Sequence, residues 1–154
     1  MLKIYCIAFL GVFPLVSLGS PLMVPLGDRY FVSEYKASFV HALAVCKMMD
    51  MDLLSIQSEA ESESVYDIMN SAGLAVVGRS YWMGGAHLDV DTWVWIDTGK
   101  LLTFVKWGAN EPSLPTSEDY CLQLGKDNDG RNPRFWQSRL CSTESYYVCQ
   151  VKET

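Results

Sequence analysis

The stretch YWMGGAHLDVDTWVWIDTGK, residues 81–100, carries two different strand signals and a turn. In TWVWI, residues 92–96, aromatic and β-branched groups alternate strictly, so one face is apolar and the other is free to face water or a neighbouring layer. YWMGG is also aromatic and adds two glycines. DTGK, between Ile96 and Leu101, has the chemistry of a hairpin turn. Aromatic alternation of this kind packs a sheet face, so Trp82, Trp93 and Trp95 are expected in the core.

Upstream of this stretch the period is helical. In SFVHALAVCKMMD the apolar groups fall at 39, 42, 43, 46 and 49 behind Ser38, a candidate cap, which places Cys46 on a buried helix face. In SEAESESVYDIMNSAG, Ser58 and Glu61 stand at capping-box spacing, and Val65, Ile68, Met69 and Ala72 form one stripe before Gly73. The serine and glutamate run between them is a solvated face. A short strand is expected at 29–33, with further strands at 101–104, 120–124 and 146–151, and DNDG at 127–130 is a turn. Two helices followed by a run of short strands define an α+β domain.

The chain opens with MLKIYCIAFLGVFPLVSLGS: one lysine, an apolar run to Val16, then Ser17 and Gly19 as small residues ahead of Ser20. That run is too short to span a bilayer, and the three-part pattern predicts a cleaved signal peptide over 1–19 and a secreted, extracellular product. The remaining 135 of 154 residues make one domain. The formal charge of −6 becomes −7 without Lys3, and no block of lysines or arginines exists, so nucleic acid and anionic membrane are poor partners.

In an oxidising compartment cysteines pair. Cys6 leaves with the signal, and Cys46, Cys121, Cys141 and Cys149 permit three pairings that spacing cannot separate. A structural zinc site is not expected: there is no CxxC, and His41 and His87 lie far from the late cysteines. Each histidine reads as an ordinary solvated or capped side chain. An enzyme is not expected either, since no nucleophile and base can be paired and no G-x-S-x-G turn is present. Glu111 and Asp119 sit on one loop with no deep cleft implied around them.

That loop, residues 105–120, contains WGANEPSLPTSEDY, is long, shows no period and carries Gly108, Pro112 and Pro115. Long irregular loops in compact domains usually serve function. Its oxygen-bearing side chains include Glu111, Ser113, Glu118 and Asp119, and Leu114 and Pro115 are expected to be apolar groups in solvent.

Taken together, Cys46 on a first helix, WMGG at 82, WVWID at 93, EPS at 111, Cys121, Trp136, Cys141 and Cys149, in this order, resemble the C-type lectin-like domain family over 28–151. The likeness is strongest to the secreted single-domain kind common in invertebrates. The resemblance implies the pairs Cys46–Cys149 and Cys121–Cys141, which leave no cysteine for an interchain bond. It also implies recognition of glycans or of a protein partner, by a monomer or a non-covalent oligomer, in defence or another extracellular encounter.

In sugar-binding relatives Glu-Pro-Asn, a second acid before the cysteine and Trp-Asn-Asp hold calcium, and the sugar completes its shell. Here Glu111 keeps its role, Pro112 keeps the bend, and Asp119 or Glu118 matches the second acid. Ser113, Gln137 and Ser138 replace the remaining ligands, so Glu111 and Asp119 are the residual metal candidates. Calcium affinity follows the charge of its ligands. Losing a carboxylate at Ser138 therefore implies weak or calcium-free binding, through Glu111, Ser113, Glu118, Asp119, Gln137 and Ser138.

Overall fold

The computed structural model describes residues 23–152 except 77, 90 and 127–133. The signal peptide expected over 1–19 and the turn expected at 127–130 lie outside the described residues. Within them the order is β1 (Met23–Leu26), β2 (Tyr30–Ser33), α1 (Phe39–Met48), β3 (Met51–Leu53), α2 (Glu59–Ser71), β4 (Tyr81–Asp89), β5 (Thr92–Trp95), β6 (Lys100–Leu101), β7 (Tyr120–Lys126), β8 (Phe135–Leu140) and β9 (Tyr146–Val151).

Both helices start where the sequence caps them. The Ser38 hydroxyl accepts the His41 amide at 3.4 Å, and the Ser58 hydroxyl accepts the Glu61 amide at 3.2 Å. The Glu61 carboxylate reaches back to the Gln57 amide at 2.7 Å, one residue ahead of the cap, so two orphan donors are satisfied together. The α1 face buries Phe39, Ala42, Val45 and Cys46, and α2 buries Val65 and Met69. Met49 and Ala72, expected on the apolar stripes, follow the last turns as caps and face solvent.

The strands run β1-β2-β9-β4-β5-β6 along one path, with β3 added to β9, β7 to β4 and β8 to β7. β4 is the hub. Its first residues pair in parallel with β9, Tyr81 with Tyr146 and Trp82 with Tyr147, and antiparallel with β7. Its later residues pair with β5. The glycines of WMGG permit this crowding: a β-carbon on Gly85 would sit 2.7 Å from Leu122 Cδ2 and 2.8 Å from its Cβ.

The DTGK hairpin forms as read, with Gly99 at φ 67° and its amide on the Trp95 carbonyl at 2.8 Å. Strand pairing after it stops at Leu101 and does not continue to Phe104. The chain turns inward there: Leu102 donates to the Trp93 carbonyl at 3.0 Å, and Phe104 sets its ring edge-on to Trp136 at 5.5 Å.

The core has two parts. Trp95 and Trp136, both fully buried, pack with Tyr81, Met83 and Leu122 beneath the long loop. Phe39, Ala42, Cys46, Trp82 and Tyr147 join α1 to the sheet. Trp82 donates its indole N–H to the Ala37 carbonyl at 2.9 Å, which satisfies the ring's polar edge inside that layer. His87 is not the solvated side chain expected: it lies 5.2 Å from the Trp93 ring with Nε2 shut away from water.

Both disulfides implied by the resemblance are present, Cys46–Cys149 with Cα atoms 5.5 Å apart and Cys121–Cys141 with 5.0 Å. The first bolts α1 to β9. The second ties the start of β7 to the turn after β8. β9 pairs with β2 on one side, and the Val151 amide bonds the Arg29 carbonyl at 2.9 Å.

Candidate functional site

The loop between β6 and β7 is held at its root by backbone and rings. Trp136 donates to the Lys106 carbonyl at 2.8 Å, Gly108 donates to the Trp136 carbonyl at 2.9 Å, and Trp107 lies 5.1 Å from Trp93. Lys106 fastens the same root to α2, with its ammonium 2.6 Å from Glu59 and 2.5 Å from Glu63. Burial opposes the Lys106 charge, but the two carboxylates outweigh it and raise its pKa. The hydrogen bond from Lys106 holds Glu63 below the ordinary carboxylate range. Arg134 completes the network, 2.8 Å from Glu63 and stacked 4.2 Å over the Tyr66 ring.

Farther out, the Glu111–Pro112 peptide bond is cis, and the Glu111 side chain turns inward until only 2 % of it is exposed. Its Oε2 accepts the Ser138 hydroxyl at 2.8 Å, the Ser138 amide at 3.0 Å and the Ser113 amide at 3.1 Å. Its Oε1 faces the Arg139 guanidinium at 3.4 Å. Ser138 Oγ also receives the Ser113 amide at 2.7 Å, so one hydroxyl bridges loop and strand. Arg139 is fixed in turn by donating to the Ser138 carbonyl at 2.7 Å.

The expected ligand set is therefore split. Glu111, Ser113 and Ser138 are brought together, while Gln137 projects from the other face of β8 and donates its amide to Gln123 at 2.9 Å, in the buried Gln123–Gln137 cross-strand pair. Glu118 and Asp119 are exposed and line a cleft of about 570 Å³ with Ser117, Ser38, Val40, Leu140, Cys141 and Ser142. Thr116 donates to Glu118 at 3.1 Å. Leu114, expected in solvent, is half-buried against the Trp136 layer, whereas Pro115 is exposed.

The residues fit calcium poorly. Oε2 of Glu111 already receives three N–H or O–H donors, and Oε1 faces a guanidinium at 3.4 Å. A divalent ion there would meet a fixed positive charge beside it and find neither Gln137 nor a carboxylate at 138. Among the described residues no group of three or more His, Cys, Asp or Glu could hold a metal ion. Arg139 is the residue that reading the ligand motifs one by one misses. Its signal was a cation directly following the position where the carboxylate is lost.

Helices, disulfides and loop root define the C-type lectin fold, and the comparisons agree. The mouse scavenger receptor C-type lectin carbohydrate-recognition domain superposes with a TM-score of 0.67 at 23% identity, covering 87% of this chain and 96% of that one. A structure titled as a calcium-independent type II antifreeze protein superposes with a TM-score of 0.62 at 21% identity, covering 85% and 92%. The chain matches the family model for the lectin C-type domain over residues 35–151 and belongs to that family.

Among curated relatives, the C-type lectin mosGCTL-7 of Aedes aegypti is 22% identical over 134 residues, 86% of this chain and 89% of that protein. Other relatives are longer: the chain spans 64% of the mouse CD209 antigen-like protein C and 28% of the human CD209 antigen. The family is one of recognition proteins, and the chain is a recognition domain rather than an enzyme. No helix among the described residues is long and apolar enough to cross a membrane.

Proposed function

We propose that this chain is an exported recognition domain that binds glycans of microbial or host surfaces through the outer part of its long loop, without calcium. The observation that carries this reading is the Glu111 carboxylate, buried, hydrogen-bonded by Ser138 and faced by the Arg139 guanidinium. Between them these residues do what a bound cation does elsewhere: Ser138 holds the loop in shape and Arg139 offsets the charge of Glu111.

The groups left to meet a ligand are Thr116, Ser117, Glu118 and Asp119, around a cleft that also offers Val40 and Leu140. Exposed carboxylates accept hydrogen bonds directly from sugar hydroxyls, and charge-assisted bonds of this kind are the stronger ones. Apolar Val40 and Leu140 supply contact area beside them. A single shallow site holds one sugar weakly, so useful avidity needs several copies on a surface or a non-covalent oligomer. Secretion fits the amino-terminal pattern and the two disulfides, which persist in oxidising surroundings.

The test is a glycan array probed in chelator and in excess calcium, with Asp119→Asn and Glu118→Gln beside the parent chain. Binding is expected to be equal in the two buffers and to fall about tenfold in the variants, the loss of one charge-assisted hydrogen bond. Binding that disappears in chelator and returns with calcium overturns the reading. Binding confined to proteins stripped of glycan assigns the loop to protein recognition instead.

A further inference from the structure

On the opposite side of β8 from Glu111 the molecule carries a second polar groove, built where β4 and β9 start in parallel. One arm is lined by Lys36, Arg79, Ser80, Ser145 and Tyr146 and encloses about 250 Å³. The other, of about 360 Å³, shares Gly78, Ser80 and Glu144 with it and extends to Gln123, Gln137 and Thr143. Arg139 lines the far end, its charge already set against Glu111.

The cations of the first arm are unlike most others among the described side chains. Arg29, Lys47, Lys106, Arg134, Arg139 and Lys152 each have a carboxylate partner. Among the described residues Lys36 and Arg79 have none, a state they share with Lys100. Instead the Arg79 guanidinium lies over the Tyr146 ring at 4.1 Å and near Tyr81 at 5.5 Å, and Lys36 approaches Tyr146 at 5.6 Å. Arg79 Nε is shut from solvent with no hydrogen-bond acceptor. Native structures rarely leave such a donor unused.

The scaffold holds this arrangement still. Ala37 and Ser145 exchange backbone hydrogen bonds at 2.9 and 3.0 Å, which sets Lys36 beside Tyr146. The Ser145 hydroxyl donates to the Ser80 carbonyl at 2.8 Å. Gly125, at φ 119°, lets β7 approach the Arg79 carbonyl so closely that a β-carbon would lie 2.4 Å from it.

A guanidinium stacked on a ring keeps its N–H edge free for a planar or tetrahedral oxyanion, and a neighbouring ammonium adds charge without competing for geometry. Beyond that pair the groove offers hydroxyls and amides, from Ser80, Thr143, Gln123 and Gln137, which match a chain of hydroxyl groups better than a peptide. Glu144 is the one carboxylate among the lining residues, and it borders both arms, so an anion is held only where Arg79 and Lys36 together outweigh it. The overall charge of −6 makes this electropositive spot local rather than a general property of the surface.

We propose that this groove is a second binding site, which takes the sulfate or carboxylate group of an acidic oligosaccharide between Arg79 and Lys36 and its hydroxyls along Ser80 and Thr143. The acid-lined cleft at Glu118 and Asp119 disfavours the same ligand, so the two sites sort saccharides by charge.

Calorimetric titration of the purified chain with a sulfated hexasaccharide, a uronate hexasaccharide, a neutral hexasaccharide and polyglutamate tests this. Saturable binding of at least one acidic saccharide is expected, weakened about tenfold or more by Arg79→Gln and by Lys36→Gln, each removing a charge-assisted contact. Lys100→Gln, which removes the same charge elsewhere, is expected to leave affinity within about twofold, since only screened long-range attraction is lost. Lys36 is exposed, so its variant keeps the test decisive where Arg79→Gln fails to fold. Equal losses in all three variants, equal affinity for polyglutamate, or no binding of either acidic saccharide overturns the proposal. Asp119→Asn leaves acidic-saccharide affinity unreduced if the sites are separate, so this site and the loop cleft fail independently.

Discussion

Ser138 gives its hydroxyl proton to Glu111 at 2.8 Å and takes the Ser113 amide proton at 2.7 Å, so one side chain closes the contact between the long loop and β8. A carboxylate at this position would repel Glu111 unless a cation lay between them. A serine needs none.

The first consequence concerns calcium. Thermal melts of the parent chain in chelator and in saturating calcium are expected to superimpose. The triple variant Ser113→Asn, Ser138→Asp and Arg139→Val restores two oxygen ligands and removes the resident cation. It should melt at a higher temperature as calcium is added, by the equivalent of about 2.7 kcal/mol once calcium reaches about 100 times its Kd.

Glu111→Gln removes the charge but keeps an acceptor. The Ser138 and Ser113 donors still find an oxygen, whereas Arg139 loses its partner. Urea unfolding should show a loss of about 1–3 kcal/mol, the cost of weakening hydrogen bonds to a buried charged group. Glu111→Ala should cost more, because the Ser138 amide then loses its acceptor and Arg139 its counter-charge, although the Ser113 amide keeps Ser138 Oγ and the Ser138 hydroxyl keeps the Ser113 carbonyl.

The two disulfides should differ in weight. Cys46–Cys149 closes 103 residues and Cys121–Cys141 closes 20. In the chain-entropy account the first contributes about 4.7 kcal/mol and the second about 3.3 kcal/mol. Paired Cys→Ser variants measured by urea unfolding should therefore rank in that order.

The Lys106 network predicts a pH dependence with a definite sign. Glu63 has its pKa lowered from 4.5 by Lys106, so its contribution is present above 4.5 and fades as pH falls through the lowered value. Lys106 is raised above 10.5, so its part is present below that and fades as pH rises through the raised value. The melting-temperature difference between the parent chain and Lys106→Met should be widest at neutral pH and narrow in acid. A difference that stays constant down to pH 3 would remove the network from the account.

Much of the fold was legible because local chemistry and tertiary role agree. Ser38 and Ser58 cap the helices they precede, and Trp82, Trp93 and Trp95 alternate into the core as sheet residues do. β8 was not legible as a strand. In FWQSRL only Trp136 is an apolar group buried in the core, with Leu140 packed at its margin; Ser138 between them turns to Glu111 and Gln137 hides by pairing with Gln123, so the apolar alternation is broken. β1 contains Pro25 and lies at an edge of the sheet path, where proline is tolerated. The pairing of the cysteines followed from family likeness, not from spacing.

The site was legible only as a set of residue types. Glu111 and the bend at Pro112 could be read from the likeness of EPS to the family motif, but the cis bond is a finding of the structure, and the separation of Gln137 from Ser138 depends on strand register, which a single polar stretch does not fix. Arg139 acts across the loop, 28 positions from Glu111, and only the folded chain brings them together.

Because β2 and β9 lie side by side about 5 Å apart, with Val151 bonded to Arg29, the last strand closes against the turn that joins β1 to β2. A pull on that strand is therefore carried by β2 and, through Cys149, by α1, before any of it reaches the long loop.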